Sequence, residues 1–149
     1  MSAHIQVKVE DFDVSDEIDA LTDEAPETGA VAAFTGYVRG DTGLTALTLE
    51  HYPGMTEHEI ARIVADAQAR WNLTGITIIH RVGRLKVGER IVLVAVASAH
   101  RAAAFEACEF LMDYLKNRAP FWKLEERGGN AGWVEARAVD DAAAERWQK

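Results

Sequence analysis

Pro120 stops a helix that the residues before it demand. Ala104, Phe105, Cys108, Leu111, Met112 and Leu115 recur at the i, i+3, i+4, i+7 spacing of one buried helical face, and Ser98 stands where an N-cap would. Proline cannot continue that helix and pushes Ala119 out of the α region, so the chain must turn before Phe121, Trp122 and Lys123 run on as a strand. The turn brings Lys116 and Lys123 toward one another. At about 100° per residue Arg101 falls inside the apolar stripe and Lys116 at its edge, beside Phe105 and Met112, where an ordinary amphipathic helix carries neither charge. A lysine in the last turn also favours the macrodipole and can pair with Asp113. His100 and Arg101 equally suit a helix entrance as plain polar residues or, with the free N–H groups there, an anion site. Position does not decide between these readings.

At 149 residues and 48% hydrophobic content, with no shift of composition, the chain reads as one domain, 1–149, with a proper core. Sixteen Lys and Arg against 24 Asp and Glu leave a net charge of −8, which argues against nucleic acid or an anionic membrane as partner. No apolar run reaches the roughly 18 residues of a membrane span, and the N-terminus lacks the pattern of a signal peptide, so a cytoplasmic protein is expected. The single cysteine, Cys108, falls in the middle of the buried stripe and is expected to be inert. The five histidines, His4, His51, His58, His80 and His100, show no ligand spacing; neither a metal site nor a cofactor is indicated.

Ile5 to Val9 alternate as a short strand and Val14 to Leu21 form a short acidic helix. From Gly29 the run A-V-A-A-F-T-G-Y-V-R is nearly continuously apolar, a strand expected to be covered on both faces, ending in Arg39 before the turn-forming G-D-T-G. By itself Arg39 reads as an ordinary exposed arginine. Leu44 to Tyr52 are a second strand, closed by Pro53-Gly54. Thr56-x-x-Glu59 has the form of a capping box, followed by a buried stripe of Ile60, Ile63, Val64, Ala67 and Trp71. Ile76 to Arg81 and Arg90 to Ala97 are strands joined by a tight reversal through V-G-R-L-K-V-G-E, and the second, central in its sheet, delivers the chain to His100. Past the long helix, F-W-K-L-E-E-R and W-V-E-A-R flank the hairpin turn Gly128-Gly129-Asn130, and Asp140 to Trp147 close the chain as a helix. Paired neighbouring strands favour an α+β sandwich over a doubly wound sheet.

The segments F-T-G-Y-V-R (34–39), L-T-L-E-H-Y-P-G-M (47–55), I-H-R-V-G (79–83), S-A-H-R (98–101), D-Y-L-K (113–116), A-P-F-W-K (119–123) and W-V-E-A-R (133–137) closely resemble the large, catalytic subunit of molybdopterin synthase. The likeness spans nearly the whole chain, in order. It implies an α/β-hammerhead fold with an additional small antiparallel sheet. It implies conversion of cyclic pyranopterin monophosphate to molybdopterin, by transfer of two sulfurs from the C-terminal thiocarboxylate of a small ubiquitin-like subunit ending in Gly-Gly. Two large subunits would form the homodimeric core of a heterotetramer. Matched residue by residue, Lys116 and Lys123 correspond to the family lysines at the partner's tail, and Arg39, His100 and Arg101 to groups around the substrate phosphate. Tyr37, Val38, Leu124 and Glu125 correspond to their neighbours beside the substrate, and Arg137 to a pocket residue. A chain without a reactive cysteine must take its sulfur from elsewhere, and lysines supply positive charge both to a thiocarboxylate and to the oxyanion formed when its acyl carbon is attacked. Two other classes of function remain open on the residues alone. One is a non-catalytic module binding a phosphorylated metabolite through Arg39, His100 and Arg101; the other is a scaffold for a ubiquitin-like partner, needing only the lysines.

Overall fold

The two most apolar runs, Gly75–Arg81 and Arg90–Ser98, pair antiparallel at the centre of a four-stranded sheet. The computed structural model describes residues 3–41, 43–134 and 138–148, with backbone alone at 138–140. Its elements are β1 (Ala3–Lys8), α1 (Val14–Asp23), β2 (Ala30–Tyr37), β3 (Leu44–His51), α2 (Met55–Arg70), β4 (Gly75–Arg81), β5 (Gly83–Lys86), β6 (Arg90–Ser98), α3 (Arg101–Arg118), β7 (Phe121–Arg127), β8 (Asn130–Val134) and α4 (Ala138–Glu145), then a 3-10 turn, Arg146–Gln148.

The first sheet has the order β1-β4-β6-β2, with β1 parallel to β4 and the other pairs antiparallel. Side chains of a strand alternate between faces, so each of its two central strands feeds two cores. Val92, Val94 and Val96 join Ile76 and Ile78 beneath Ile60, Ile63, Val64 and Ala67 of α2 and Ala104, Ala107, Phe110 and Leu111 of α3. On the other face Leu93, Ala95 and Ile79 pack with Phe12, and Val14 and Leu21 of α1 lean against them. The second sheet, β5-β3-β7-β8, is antiparallel throughout and carries a small core of Val38, Leu47, Leu49 and Leu85. The result is the expected α+β architecture with an additional antiparallel sheet.

Several local expectations are corrected. The supposed reversal at 82–89 holds a strand, β5, which leaves the first sheet and pairs with β3 in the second. Four residues are too few to show an alternation, and Gly83 and Gly88, both at φ 92°, disguise the strand as a turn. The apolar run from Ala30 is an edge strand bordered only by β6, so Phe34 is 43% and Tyr37 52% exposed. The buried face of α3 is rotated: Phe105 is 66% exposed while Phe110 and Tyr114 are buried. Trp71 after α2 and Trp147 of the 3-10 turn both pack edge-on against Phe110, and these neighbours select its face of the helix. Arg101 therefore lies exposed rather than in a stripe. Ser98 does not cap α3 by itself: the N-cap residue is His100, and the Ser98 hydroxyl donates to the Asn72 carbonyl at 2.9 Å. At α2 the cap is Gly54, whose N–H donates to Glu57 at 3.0 Å, while Glu59 pairs with Arg62.

Thr56, fully buried, has a different task. Its hydroxyl accepts from the Tyr52 N–H at 3.0 Å and donates to the Pro120 carbonyl at 3.1 Å, fastening the start of α2 to the turn between α3 and β7. At that turn Ala119 is extended, φ −71° and ψ 125°, as a residue before proline must be. Thr56→Val keeps the shape and strands both partners, so the unfolding midpoint in urea should drop by the equivalent of about 2 kcal/mol with an unchanged slope.

Candidate active site

The α3–β7 turn, the end of β2 and the inner face of the second sheet enclose a cavity of about 540 Å³. Each element delivers particular side chains. From β2 and the residues following it come Tyr37, Val38 and Arg39; from the last turn of α3 comes Lys116; from β7 come Phe121, Lys123 and Glu125. The β7 residues are spaced by two, which puts them on one face of the strand. Leu124, between them, does not line the cavity and pairs across the sheet with Thr48 and Trp133. Val38 is 2% exposed and anchors this wall in the small core. His100 and Arg101 are not on the cavity: they begin α3, and fifteen residues of helix, roughly 22 Å, separate Arg101 from Lys116. Arg137 lies outside the described residues.

Lysine and arginine side chains offer only donors, and three of them, Arg39, Lys116 and Lys123, reach the wall of this cavity in a protein of net charge −8. The acidic lining residues Asp41 and Glu125 both pair with Arg127, Asp41 through two hydrogen bonds and Glu125 at 3.3 Å, so a fourth cation partly compensates them. Arg127 thereby ties the loop after Arg39 to the strand that carries Lys123. On the other side Arg90 clasps Asp11 at 3.0 and 2.8 Å. That hydrogen bond, and then a weaker one to Tyr37, hold the Arg90 pKa above its ordinary value.

Cys108 is no sulfur carrier. It is 8% exposed, its thiol donates to the Val94 carbonyl at 3.7 Å, and burial pushes its pKa up to about 11. Thiolate is the reactive form, so this cysteine stays inert near neutral pH.

A residue that the pattern of the sequence did not single out is His80. It is 7% exposed at the end of a wholly buried strand and lines the cavity. Its ring stacks on Phe121, centroids 3.8 Å apart and planes 16° from parallel, and Nδ1 lies 2.8 Å from the Arg81 carbonyl. Burial, with the charges of Lys116 on α3 and His51 on β3 adding to it, depresses its pKa to about 4 despite the opposing hydrogen bond to Arg81. Its signal lies in G-I-T-I-I-H-R, where a histidine continues a row of isoleucines on the core face, a pattern that metal-ligand spacing does not reveal.

A mixed sheet roofed by helices, with a helix end and a strand converging their lysines on one cavity, defines an α+β protein with a cation-lined cavity. Known proteins make that class specific. The MoaE protein family model matches residues 7–118. A molybdopterin synthase catalytic subunit from Mesorhizobium japonicum is 57% identical over 147 residues, 97% of this chain and 92% of its own. The solved molybdopterin biosynthesis MoaE protein of Burkholderia ambifaria superposes with a TM-score of 0.87 at 48% identity, 98% of each chain being covered. Molybdopterin synthase from Staphylococcus aureus gives 0.79 at 29% identity, over 87% of this chain and 95% of that one. The chain belongs to the MoaE family, the catalytic subunits of molybdopterin synthase, and is an enzyme of sulfur transfer in molybdopterin synthesis.

The depressed pKa of His80 has a direct thermodynamic sign. Between about 4 and 6.5 the unfolded chain binds a proton at His80 that the folded chain refuses, so stability rises with pH across that window and is lost as pH falls through it. At ~1.4 kcal/mol per pH unit the ceiling of this loss is about 3 kcal/mol. Asp11 and Glu89, held below their ordinary values of 3.8 and 4.5 by Arg90 and by the Lys86 N–H, lose their contributions only at lower pH. Urea titrations from pH 7 to 4.5 should show the decline, and His80→Phe should flatten it.

Proposed function

We propose that the cavity is where cyclic pyranopterin monophosphate becomes molybdopterin, with Lys116 and Lys123 as the catalytic residues. The observation that carries this reading is the convergence of Lys116 from α3, Lys123 from β7 and Arg39 from the loop after β2 on one cavity. The sulfur donor is the C-terminal thiocarboxylate of a small ubiquitin-like subunit. Two facts support that donor: Cys108 is buried and protonated, and the curated relative is named as one subunit of its enzyme.

The thiocarboxylate sulfur attacks a substrate carbon and breaks its C–O bond to the cyclic phosphate, which opens to a monoester that keeps the oxygen, leaving the carrier joined to that carbon as a thioester. Water then adds to the acyl carbon, and collapse of the tetrahedral oxyanion frees the carrier as a carboxylate and leaves the sulfur on the pterin. A second carrier delivers its sulfur to the neighbouring carbon, whose carbonyl oxygen departs as water as the carbon–carbon double bond forms, and hydrolysis of that thioester completes the dithiolene. Ammonium groups of Lys116 and Lys123 hold the thiocarboxylate and stabilise the oxyanion; either can give the proton that the departing sulfur takes up. Tyr37, Val38 and Glu125 flank the substrate, with Leu124 behind them in β7. The enzyme works in the cytoplasm as a single domain over 1–149. Among the described residues no helix is long and apolar enough to cross a membrane.

The distance along α3 adds an oligomeric requirement. His100 and Arg101 reach the phosphate only if a two-fold dimer sets the start of one subunit's α3 near the end of the other's. On this reading Arg101 serves the site of the opposite subunit, and Arg137 belongs to the same pocket. A non-catalytic phosphometabolite module does not stand beside the family assignment.

Lys116→Ala and Lys123→Ala should each lower dithiolene formation at least about 100-fold with the fold intact, measured with thiocarboxylated carrier and pyranopterin. Near-normal product from either variant would remove that lysine from the chemistry. Mixed Arg101→Ala and Lys116→Ala subunits test the composite site separately. Each hybrid has one site with both residues intact, so activity should return to about half per hybrid; hybrids that form and stay dead would place every site within one chain.

A further inference from the structure

Ile76, Ile78 and His80 point to the same face of β4. The two isoleucines are roofed by α2 and α3; His80, next in the row, comes beside the last turns of α3, where the cavity begins. Hydrogen bonding fixes the state of its ring. The Arg81 carbonyl can only accept, so Nδ1 carries the hydrogen at 2.8 Å and the neutral ring keeps a lone pair on Nε2. Phe121, stacked at 3.8 Å, prevents the ring from turning away. No described hydrogen bond uses Nε2, yet no buried side-chain polar atom in the described structure lacks a partner, so Nε2 is not sealed in the core. The open space that His80 borders is the cavity.

The charged groups around this nitrogen cannot do the same work. Arg39, Lys116 and Lys123 only donate, and the carboxylates of Asp41 and Glu125 are engaged by Arg127. A pterin carries N–H donors along its edge, and a neutral ring nitrogen can accept from one without the desolvation cost of a buried carboxylate. We propose that His80 is a substrate-binding residue: its Nε2 accepts a hydrogen bond from a ring N–H of the pyranopterin, and so fixes the depth and the orientation of the ring beside Lys116 and Lys123. Burial, with the charges of Lys116 and His51 adding to it, keeps a proton off the ring near neutral pH, so the site accepts a donor edge and rejects a lone-pair edge. This assignment rests on the reading of the cavity as the pterin site.

The test uses the assembled enzyme. Affinity for pyranopterin is measured with carrier in its unreactive carboxylate form, and KM and kcat with thiocarboxylated carrier, for wild type, His80→Phe, His80→Gln and Lys116→Ala. Phe keeps the flat stacked ring and loses the acceptor; Gln returns an amide oxygen near the place of Nε2. His80→Phe should raise Kd and KM about 10-fold while kcat stays within about 3-fold, and His80→Gln should recover most of the loss. Unchanged Kd and KM in folded His80→Phe, or a fall in kcat alone, overturns the proposal. Nitrogen NMR of the unmutated complex with labelled histidine gives a reading that needs no variant to fold. The Nε2 resonance of His80 should move upfield when pyranopterin is added, and an unmoved resonance overturns the proposal. Wild-type turnover lost in Lys116→Ala keeps the cavity reading standing whatever His80 does; a wild-type complex that neither binds nor converts pyranopterin overturns both.

Discussion

The bend at Pro120 is the constraint on which the rest depends. It ends α3 at Arg118, which leaves Lys116 in the last helical turn, and it starts β7 at Phe121, which puts Lys123 two residues further along the same strand face. The hydrogen bond from Thr56 to the Pro120 carbonyl anchors this bend to α2, and Phe121 lies flat on His80 of the first sheet. Helix layer, first sheet and second sheet thus meet at three consecutive positions, Ala119 to Phe121. A cavity at such a junction can be lined by residues far apart in sequence without any long loop having to hold them.

Charge is arranged against the background of the whole molecule. A chain of net charge −8 repels anions at a distance, so a phosphorylated substrate and an anionic carrier tail must be attracted locally. On the proposed reading the cavity does this with the three cations that line it, Arg39, Lys116 and Lys123. Asp41 and Glu125 do not cancel the field, because Arg127 engages both from outside the cavity lining.

How much of this could be seen in the residues varied with the length and strength of the local pattern. The helix before Pro120, the apolar centre of β6 and the two-glycine hairpin, with Gly128 and Gly129 at φ 53° and 85°, were legible because each obeys a local rule. The face of α3 was not. Phe105 and Phe110 satisfy helical periodicity equally well, and only the aromatic rings of Trp71 and Trp147, distant in sequence, choose between them. The strand β5 was hidden because a change of sheet is a tertiary event written in four residues. In the site, Lys116 and Lys123 were legible together through the proline between them. The grouping with Arg39 came from resemblance, since nothing local joins a β2 end to an α3 end. His80 was passed over because its environment, not its spacing, gives it meaning.

Arg127 does not line the cavity, yet it holds Asp41 in the loop that follows Arg39 and Glu125 in the strand that bears Lys123. The two walls are therefore yoked, and positions 41, 125 and 127 form one heritable unit. A charge altered at any of them loosens both walls, so variation among related chains at these three places should be compensatory rather than independent, even though one of the three is not on the cavity wall.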